Sequence, residues 1–393
     1  MSQAQGGSTI REGEQSVFLV LPWSPANQGG VTGVVQQLIA NWGTDRPLKP
    51  VLVVDEWEAM QPRKQADATY FRFTALPNGP LVRLPLALLR MPLTLFRIWR
   101  LLRRERVAAV NFHYTGVAPW GIAVLKRLGL YRGRLVISFH GTDVRAAEGG
   151  LDRWLRNFCY RQTDAMVACS NSLAERMAQT FRLERASIEV VLNGVNTQIF
   201  RAGAPRTPAL AELPERYVVS VGAFIPRKAH ADVIAAFQIA CKDDAALHLV
   251  IAGADGPTLA AARQQAVDLG LSGRVHFFIG LGPADVAHLL ARAQLFVQAS
   301  LAESMPLSVL EAGAVGVPVA ASDIPGHDEL VFEGDNGRLF KVGDPASCAE
   351  VLREMLAQAD LSREQGRRLQ ERVRSSLTWD ACVSRYMALY IPR

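Results

Sequence analysis

Cysteine is sparse in this chain of 393 residues, with five in all and no C-x-x-C pair among them. Cys159, Cys169, Cys241, Cys348 and Cys382 are scattered and odd in number, which suggests neither a disulfide framework nor a cysteine zinc site. A reducing cytoplasm is the compartment this fits. A membrane-length apolar run is also missing. The longest uncharged stretch that invites one, Val107 to Leu125, is interrupted by Asn111, His113, Gly116, Pro119 and Gly121, and reads as strand, loop and helix. No secretory signal opens the chain. Residues 1 to 16 are polar and rich in Gly, Ser and Gln, and read as a disordered leader. Short repeats, low-complexity tracts and any aromatic-basic platform or known module for nucleic acid are likewise absent from the sequence.

What is present exceeds one ordinary hydrophobic core, so two domains are expected. The net charge of +6 is unevenly spread. Residues 1 to 205 carry 25 Lys and Arg against 15 Asp and Glu, and the remainder carries 18 against 22. Part of the excess lies in residues 81 to 104, where Arg83, Arg90, Arg97 and Arg104 recur at seven-residue spacing among leucines, Phe96 and Trp99. Pro85 and Pro92 should break this segment and leave a helix from about Leu93 to Arg104. Such a helix either lies on an anionic membrane or packs on a sheet with its arginines solvated.

Buried-strand runs alternate with helical runs along nearly all of the chain, which argues for parallel sheets covered on both faces. The first series begins at Ser16 to Leu21, followed by a glycine-bearing turn with Gly29 and Gly30 and a helix from about Val34. It ends at Ile188 to Leu192. Residues 201 to 214 have the composition of a linker, and a second series runs from Tyr217 to Gln358. In doubly wound sheets ligands sit beyond the carboxyl ends of the strands. His113, His140 to Asp143, Ser170 and Asn193 fall at such positions in the first series.

The second series is organised around Glu303-Ser-Met-Pro-Leu-Ser-Val-Leu-Glu311. Pro306 suits the first turn of a helix, with Ser304 or Met305 at the cap. Glu303 then precedes the helix and Glu311 lies more than a turn inside it, at most about 12 Å away. Between them stand the free N–H groups of a helix start, a ready anion site. Taken bare, the pair also reads as an ordinary helix start with solvated glutamates. Its surroundings favour a ligand with hydroxyls at both ends and a diphosphate between. Arg227 and Lys228 follow a strand end at Gly222, and paired cations there can neutralise a diphosphate. Gly253 ends the next strand, where a missing side chain admits a flat base or ribose.

These pieces, in order, resemble retaining glycosyltransferase family 4. They are Gly29-Gly30, His140-Gly-Thr-Asp143, Asn193-Gly194-Val195, Gly222-Ala223, Arg227-Lys228, Gly253, Glu303 to Glu311, Pro325-Gly326, Glu329 and Asn336-Gly337. The resemblance covers about Val17 to Tyr390. It departs from the family at Ser304-Met305-Pro306, where Gly-Phe-Gly is common, and at Pro325, where a glycine is usual.

The resemblance implies the GT-B fold: two doubly wound, Rossmann-like α/β domains facing each other across a cleft. Residues 17 to 203 would form an acceptor-side domain and 204 to 377 a nucleotide-sugar domain, with a final helix, 378 to 393, crossing back to the first. Arg227 and Lys228 would meet the diphosphate, Glu303 the sugar hydroxyls and Glu311 the ribose. The amides of Ser304, Met305, Pro306, Leu307 and Ser308 are included in this expected donor contact, although Pro306 itself has no N–H. Gly29, Gly30, Gly222 and Gly253 would give room to the donor. His140 would stand near the anomeric carbon, with His113, Asp143 and Asn193 on the acceptor side.

The expected activity is hexose transfer from a nucleoside-diphosphate sugar to an acceptor hydroxyl, such as a lipid-linked or polysaccharide precursor, with retention of configuration. No D-x-D occurs in the sequence, so no metal and no cofactor are expected, the two cations acting instead. The site of action would be the cytoplasm or the inner face of its membrane. A nucleotide-sugar epimerase of the same architecture, a non-catalytic membrane-associated binder of nucleotide-sugars, and a glycoside hydrolase using the two glutamates are the rival readings.

Overall fold

The computed structural model describes residues 14–26, 29–56, 58–73, 84–114, 116–146, 149–203 and 208–391. The expected leader up to residue 13, the beginning of the 81–104 segment and residues 204–207 of the expected linker lie outside them. The chain divides into two compact units, residues 1–191 with 382–393, and residues 192–381.

The first unit contains β1 (Gln15–Leu21), α1 (Gly30–Ala40), β2 (Leu48–Asp55), β3 (Arg63–Gln65), β4 (Ala68–Phe71), α2 (Leu84–Arg104), β5 (Val107–His113), α3 (Trp120–Arg127), β6 (Arg134–Phe139), α4 (Gly150–Gln162), β7 (Ala165–Ala168), α5 (Asn171–Phe181) and β8 (Ile188–Val190). Its sheet runs β3-β4-β2-β1-β5-β6-β7-β8. All neighbours pair in parallel except β3 with β4. The apolar runs β1 and β5 lie in the middle and are almost wholly buried, as strands covered on both faces must be. The strand order reverses between β1 and β5, so the turns after these two strands open onto the switch point where α/β sheets bind ligands. Gly29, Gly30 and His113 lie there.

In the second unit the elements are β9 (Tyr217–Val221), α6 (His230–Ala240), β10 (His248–Gly253), α7 (Leu259–Asp268), β11 (Val275–Ile279), α8 (Pro283–Arg292), β12 (Leu295–Gln298), α9 (Leu307–Val315), β13 (Val319–Ser322), β14 (Arg338–Phe340), α10 (Pro345–Ala357), α11 (Ala359–Ser376) and the start of α12 (Trp379–Tyr390). Its parallel sheet runs β11-β10-β9-β12-β13-β14. The reversal falls between β9 and β12. Arg227 and Lys228 follow the first of these strands, and Glu303 follows the second.

Several expectations need correction. The helix expected from Leu93 begins at Leu84, with Pro92 inside it. Pro85 stands in its first turn, where a missing N–H breaks no intrahelical bond. Pro92 costs one bond, about 3 kcal/mol, in a 21-residue helix whose inner face buries Ile98, Leu101 and Leu102. The expected linker contains a 3-10 turn, Pro208–Leu210, whose Leu210 is fully buried. The units divide at 191/192 rather than 203/204. Residues after 191 pack within the second unit, where the Val195 amide donates to Leu377 O at 3.0 Å and a Cβ on Gly194 would lie 2.3 Å from the Thr378 and Trp379 backbone. Helix α11 was not anticipated from the sequence. Its charged residues dominate the periodicity, and only Ser362, Gln365, Gly366, Leu369 and Val373 are buried.

The last residues of α12, from Cys382, belong to the first unit. A buried polar chain holds them. Asn111 donates to the Tyr390 hydroxyl at 2.7 Å, Ser138 Oγ donates to Asn111 Oδ1 at 2.9 Å, and the Tyr386 hydroxyl donates to Ser138 Oγ at 3.1 Å.

Candidate active site

At the switch point of the second unit, the backbone leaves β9 through Gly222 and enters a 3-10 turn, Pro226–Lys228, that ends on Ala229 in the left-handed region at φ +47°. This geometry carries Lys228 back over the strand end. A Cβ at Gly222 would lie 3.0 Å from Lys228 Cδ, so the glycine makes room for the lysine stem. Lys228 Nζ meets Glu303 Oε1 at 2.7 Å, and Arg227 Nη1 lies 3.3 Å from Glu303 Oε2. Ser300 Oγ donates to Glu303 Oε1 at 3.1 Å. Burial works against the ionised Glu303 carboxyl, but Lys228 and Arg227 outweigh it and hold its pKa below the ordinary value. The three residues separated by 75 positions in sequence are therefore one charged cluster, with Arg227 its most exposed member.

Pro306 caps α9 with extended backbone, one position earlier than its expected place in the first turn. The N–H groups of the first turn, from Leu307 and Ser308 onward, have no intrahelical acceptor. Glu311 is the fifth residue of the helix and half-buried. Burial pushes its pKa up to about 8 despite the opposing pull of Lys228, so at neutral pH it is mostly a protonated carboxyl, able to donate as well as accept. Ser304 is half-buried and Met305 buried. The Met305 carbonyl accepts a long hydrogen bond, 3.5 Å, from Asn193 Nδ2. Asn193 was expected on the acceptor side with the first series; it is instead part of the second unit, beside the 303–308 stretch.

Gly253 does not leave open room. A Cβ there would stand 1.8 Å from Gly222 O, so the space is filled by the neighbouring backbone. Gly326, at φ +100°, lies against Glu303, with a virtual Cβ 2.6 Å from Glu303 O. The next residue, His327, is fully buried and donates through Nδ1 to Ser322 O at 2.7 Å. Its Nε2 has no hydrogen-bond partner, and Glu303 acts on the ring electrostatically. Gln298, Ser300 and His327 were not singled out from the sequence. The signal available was a glutamine closing the apolar strand Leu295–Gln298 and a histidine in a Pro-Gly turn.

At the switch point of the first unit two histidines stand where the second unit has its ion pairs. His113, the last residue of β5, and His140, just after β6, face each other with Nδ1 and Nε2 3.0 Å apart. Burial depresses both imidazoles, His140 to about 4, and His140 adds to the depression of His113. One proton therefore lies between two neutral rings. Asp143 accepts from the backbone N–H of His140 at 3.0 Å and of Gly141 at 2.8 Å, which ties down the turn carrying His140. Arg176 donates to Gly141 O at 2.6 Å from α5. Gly29 caps α1 and Gly30 begins it, both exposed, with nothing within 4 Å of a Cβ at either position. Trp23 and Tyr114 stand edge to face in this unit, 4.8 Å between centroids. Among the described residues no cluster of three or more His, Cys, Asp or Glu is disposed to hold a metal.

Two α/β units, each with a ligand edge where its strand order reverses and with a paired-cation cluster on the second, are an enzyme-like architecture that does not by itself fix the chemistry; comparison with known proteins supplies the class. Residues 206–374 match the family model for glycosyl transferases group 1, and residues 28–199 match that for glycosyltransferase family 4. The chain belongs to this family and is a glycosyltransferase. It is 30% identical to N-acetyl-alpha-D-glucosaminyl L-malate synthase of Bacillus anthracis over 73% of this chain and 75% of that protein. It is 26% identical to a GDP-mannose-dependent alpha-(1-6)-phosphatidylinositol monomannoside mannosyltransferase of Mycobacterium tuberculosis, over 94% and 96% of the two chains. Among solved structures, Anabaena Alr3699/HepE in complex with UDP and glucose superposes with a TM-score of 0.70 at 18% identity, covering 95% of this chain and 99% of that one. The fold is that of the GT-B glycosyltransferases.

Proposed function

We propose that this enzyme transfers a hexose from a nucleoside-diphosphate sugar to an acceptor hydroxyl with retention of anomeric configuration, and that the donor is held by the second unit. The observation that carries the reading is the cluster of Lys228, Arg227 and Glu303 beside the start of α9. Arg227 and Lys228 meet the diphosphate, the α9 amides add to it, and Glu303 holds sugar hydroxyls. Glu311, protonated near neutral pH, can pair with a ribose diol through one donor and one acceptor. Named activities of the relatives, on GDP-mannose and on an N-acetylglucosaminyl group, support a nucleotide-sugar donor. They favour transfer over the epimerase, hydrolase and non-catalytic alternatives.

In the reaction the acceptor oxygen bonds to the anomeric carbon as the bond from that carbon to the diphosphate breaks. The hydroxyl proton passes to the departing phosphate oxygen on the same face. Charge developing on that phosphate is met by Lys228 and Arg227, fixed beforehand by Glu303. We assign no divalent ion to this step, and activity should persist in excess chelator. Thermal-shift measurements with UDP-glucose, UDP-N-acetylglucosamine and GDP-mannose test the donor site, since a ligand that binds the folded state raises the melting temperature. No stabilisation by any nucleotide-sugar would refute it.

We further assign the acceptor to an anionic membrane surface reached through α2, on the cytoplasmic side. No described helix is long and apolar enough to cross a membrane. Leu89, Leu93 and Phe96, at helical spacing, are 79%, 48% and 53% exposed, and Arg90, Arg100 and Arg103 are exposed on the same helix. An apolar stripe bordered by arginines suits shallow insertion among anionic lipids. Flotation with anionic vesicles should carry the wild type and leave behind a variant with Arg90, Arg97, Arg100 and Arg103 changed to Glu. Equal flotation of both would sink the idea.

A further inference from the structure

Behind the charged cluster runs a chain of buried side chains that the cation-carboxylate contacts do not require. Ser308 Oγ, in the first turn of α9, donates to Gln298 Oε1 at 2.5 Å. Gln298 Nε2 donates to Ser300 Oγ at 3.0 Å, and Ser300 Oγ donates to Glu303 Oε1 at 3.1 Å. Gln298 is 2% exposed and Ser300 fully buried. We propose that Gln298 and Ser300 are positioning residues of the transfer reaction, a hydrogen-bond relay that locks the Glu303 carboxylate to the anion-binding first turn of α9.

The polarity of the relay has one consistent solution. An ionised carboxylate only accepts, so the Ser300 proton must point at Glu303. The Ser300 oxygen is then free to accept, and the group facing it must be the Gln298 NH2. That leaves the Gln298 carbonyl for the Ser308 hydroxyl. Turning the amide over would set two acceptors against each other at Ser300, unless its proton left Glu303. Every member is buried and satisfied, which is the condition under which a polar network specifies one geometry. Ser300 is held from its other side, since its carbonyl accepts from Ser322 Oγ at 2.6 Å. The relay rests on the donor-site reading above, for it fixes the sugar-holding carboxylate relative to the phosphate-holding turn. Lys228 and Arg227 fix Glu303 to the β9 side of the switch point; the relay fixes it to the α9 side.

A positioning role and a merely structural one differ in what they change. Ser300→Ala and Gln298→Met are compared with wild type by release of nucleoside diphosphate from whichever of UDP-glucose, UDP-N-acetylglucosamine or GDP-mannose the wild type consumes, and by calorimetric titration with UDP and GDP. Loss of a hydrogen bond to a charged group predicts a fall in kcat of about tenfold or more. Binding of the free nucleoside diphosphate should stay within about twofold, because Glu303 keeps its pairs with Lys228 and Arg227 when the relay is cut, and Ser300→Thr should restore most of the lost kcat. Unchanged kcat, or loss of nucleotide binding in parallel with kcat, overturns the proposal. A wild type that consumes none of the three donors tells against the donor-site reading itself. The relay is then judged by thermal unfolding alone, through the cycle of Gln298→Met, Glu303→Gln and the double variant. Non-additive melting shifts support the relay, and additive shifts overturn it.

Discussion

Each unit reverses its strand order beside its first strand, and the two differ in what stands at the reversal. In the first, two histidines face each other after β5 and β6, and the helix after β1 begins on exposed glycines. In the second, a buried carboxylate is paired with two cations and steadied by a relay of neutral side chains. The same topology offers the same place for a ligand, but the side chains decide whether that place handles charge or hydrogen bonds.

The contrast is broken most directly at the ion pairs. Lys228→Ala and Glu303→Ala should each lower turnover of the donor at least ~100-fold, the scale of losing one preorganised charge contact. Near-normal transfer by either purified variant would leave the charged cluster without the role given to it.

The glycines sharpen the contrast at the next level. Gly253→Ala places a Cβ 1.8 Å from Gly222 O and should destabilise the second unit by about 1 to 3 kcal/mol, visible as a melting point several degrees lower. Gly30→Ala meets nothing within 4 Å, so its melting point should stay close to wild type. Any loss of activity in Gly30→Ala then reports on ligand space and not on folding.

The smallest effects are those of pH. His140 has its folded pKa depressed from 6.5 to about 4 by burial, so the unfolded chain binds more protons between these values and stability falls as pH drops through that window. His140→Asn should flatten that acid slope. Glu311 has its folded pKa raised from 4.5 to about 8, so the folded chain holds the extra proton and stability falls as pH rises from about 4.5 to about 8. Glu311→Gln should flatten the slope in that range. Melting temperatures across pH 4 to 9 read both, and slopes of the same sign in the two variants would contradict the assignment of opposite burial effects.

Much was open to reading before any fold was built. Alternation of apolar strands with amphipathic runs prescribes parallel sheets, because buried strands need helices on both faces. The alternation of strands and helices along the chain was sufficient to place His140, Arg227, Lys228 and Glu303 after strand ends and Glu311 inside the helix that follows Glu303. Local signals of this kind depend on a few neighbouring residues, and so they survive in one dimension. Pro92 misled for the same reason: its local penalty is real, and packing of Ile98, Leu101 and Leu102 overrides it, while Pro85 stands in the first turn where no such penalty arises.

Tertiary structure alone decided which groups meet. Lys228 and Glu303 are 75 residues apart, and nothing in either segment announces a 2.7 Å ion pair. Gly253 has its purpose in the backbone of Gly222, Asn193 lies with Met305, and Gln298 meets Ser308 across the loop between β12 and α9. The physical reason is that a carboxyl pKa, a glycine's necessity and a hydrogen bond's direction are properties of pairs. Composition and periodicity determined that there would be two sheets with ligand edges; only the folded chain brought together the partners that give those edges their charge.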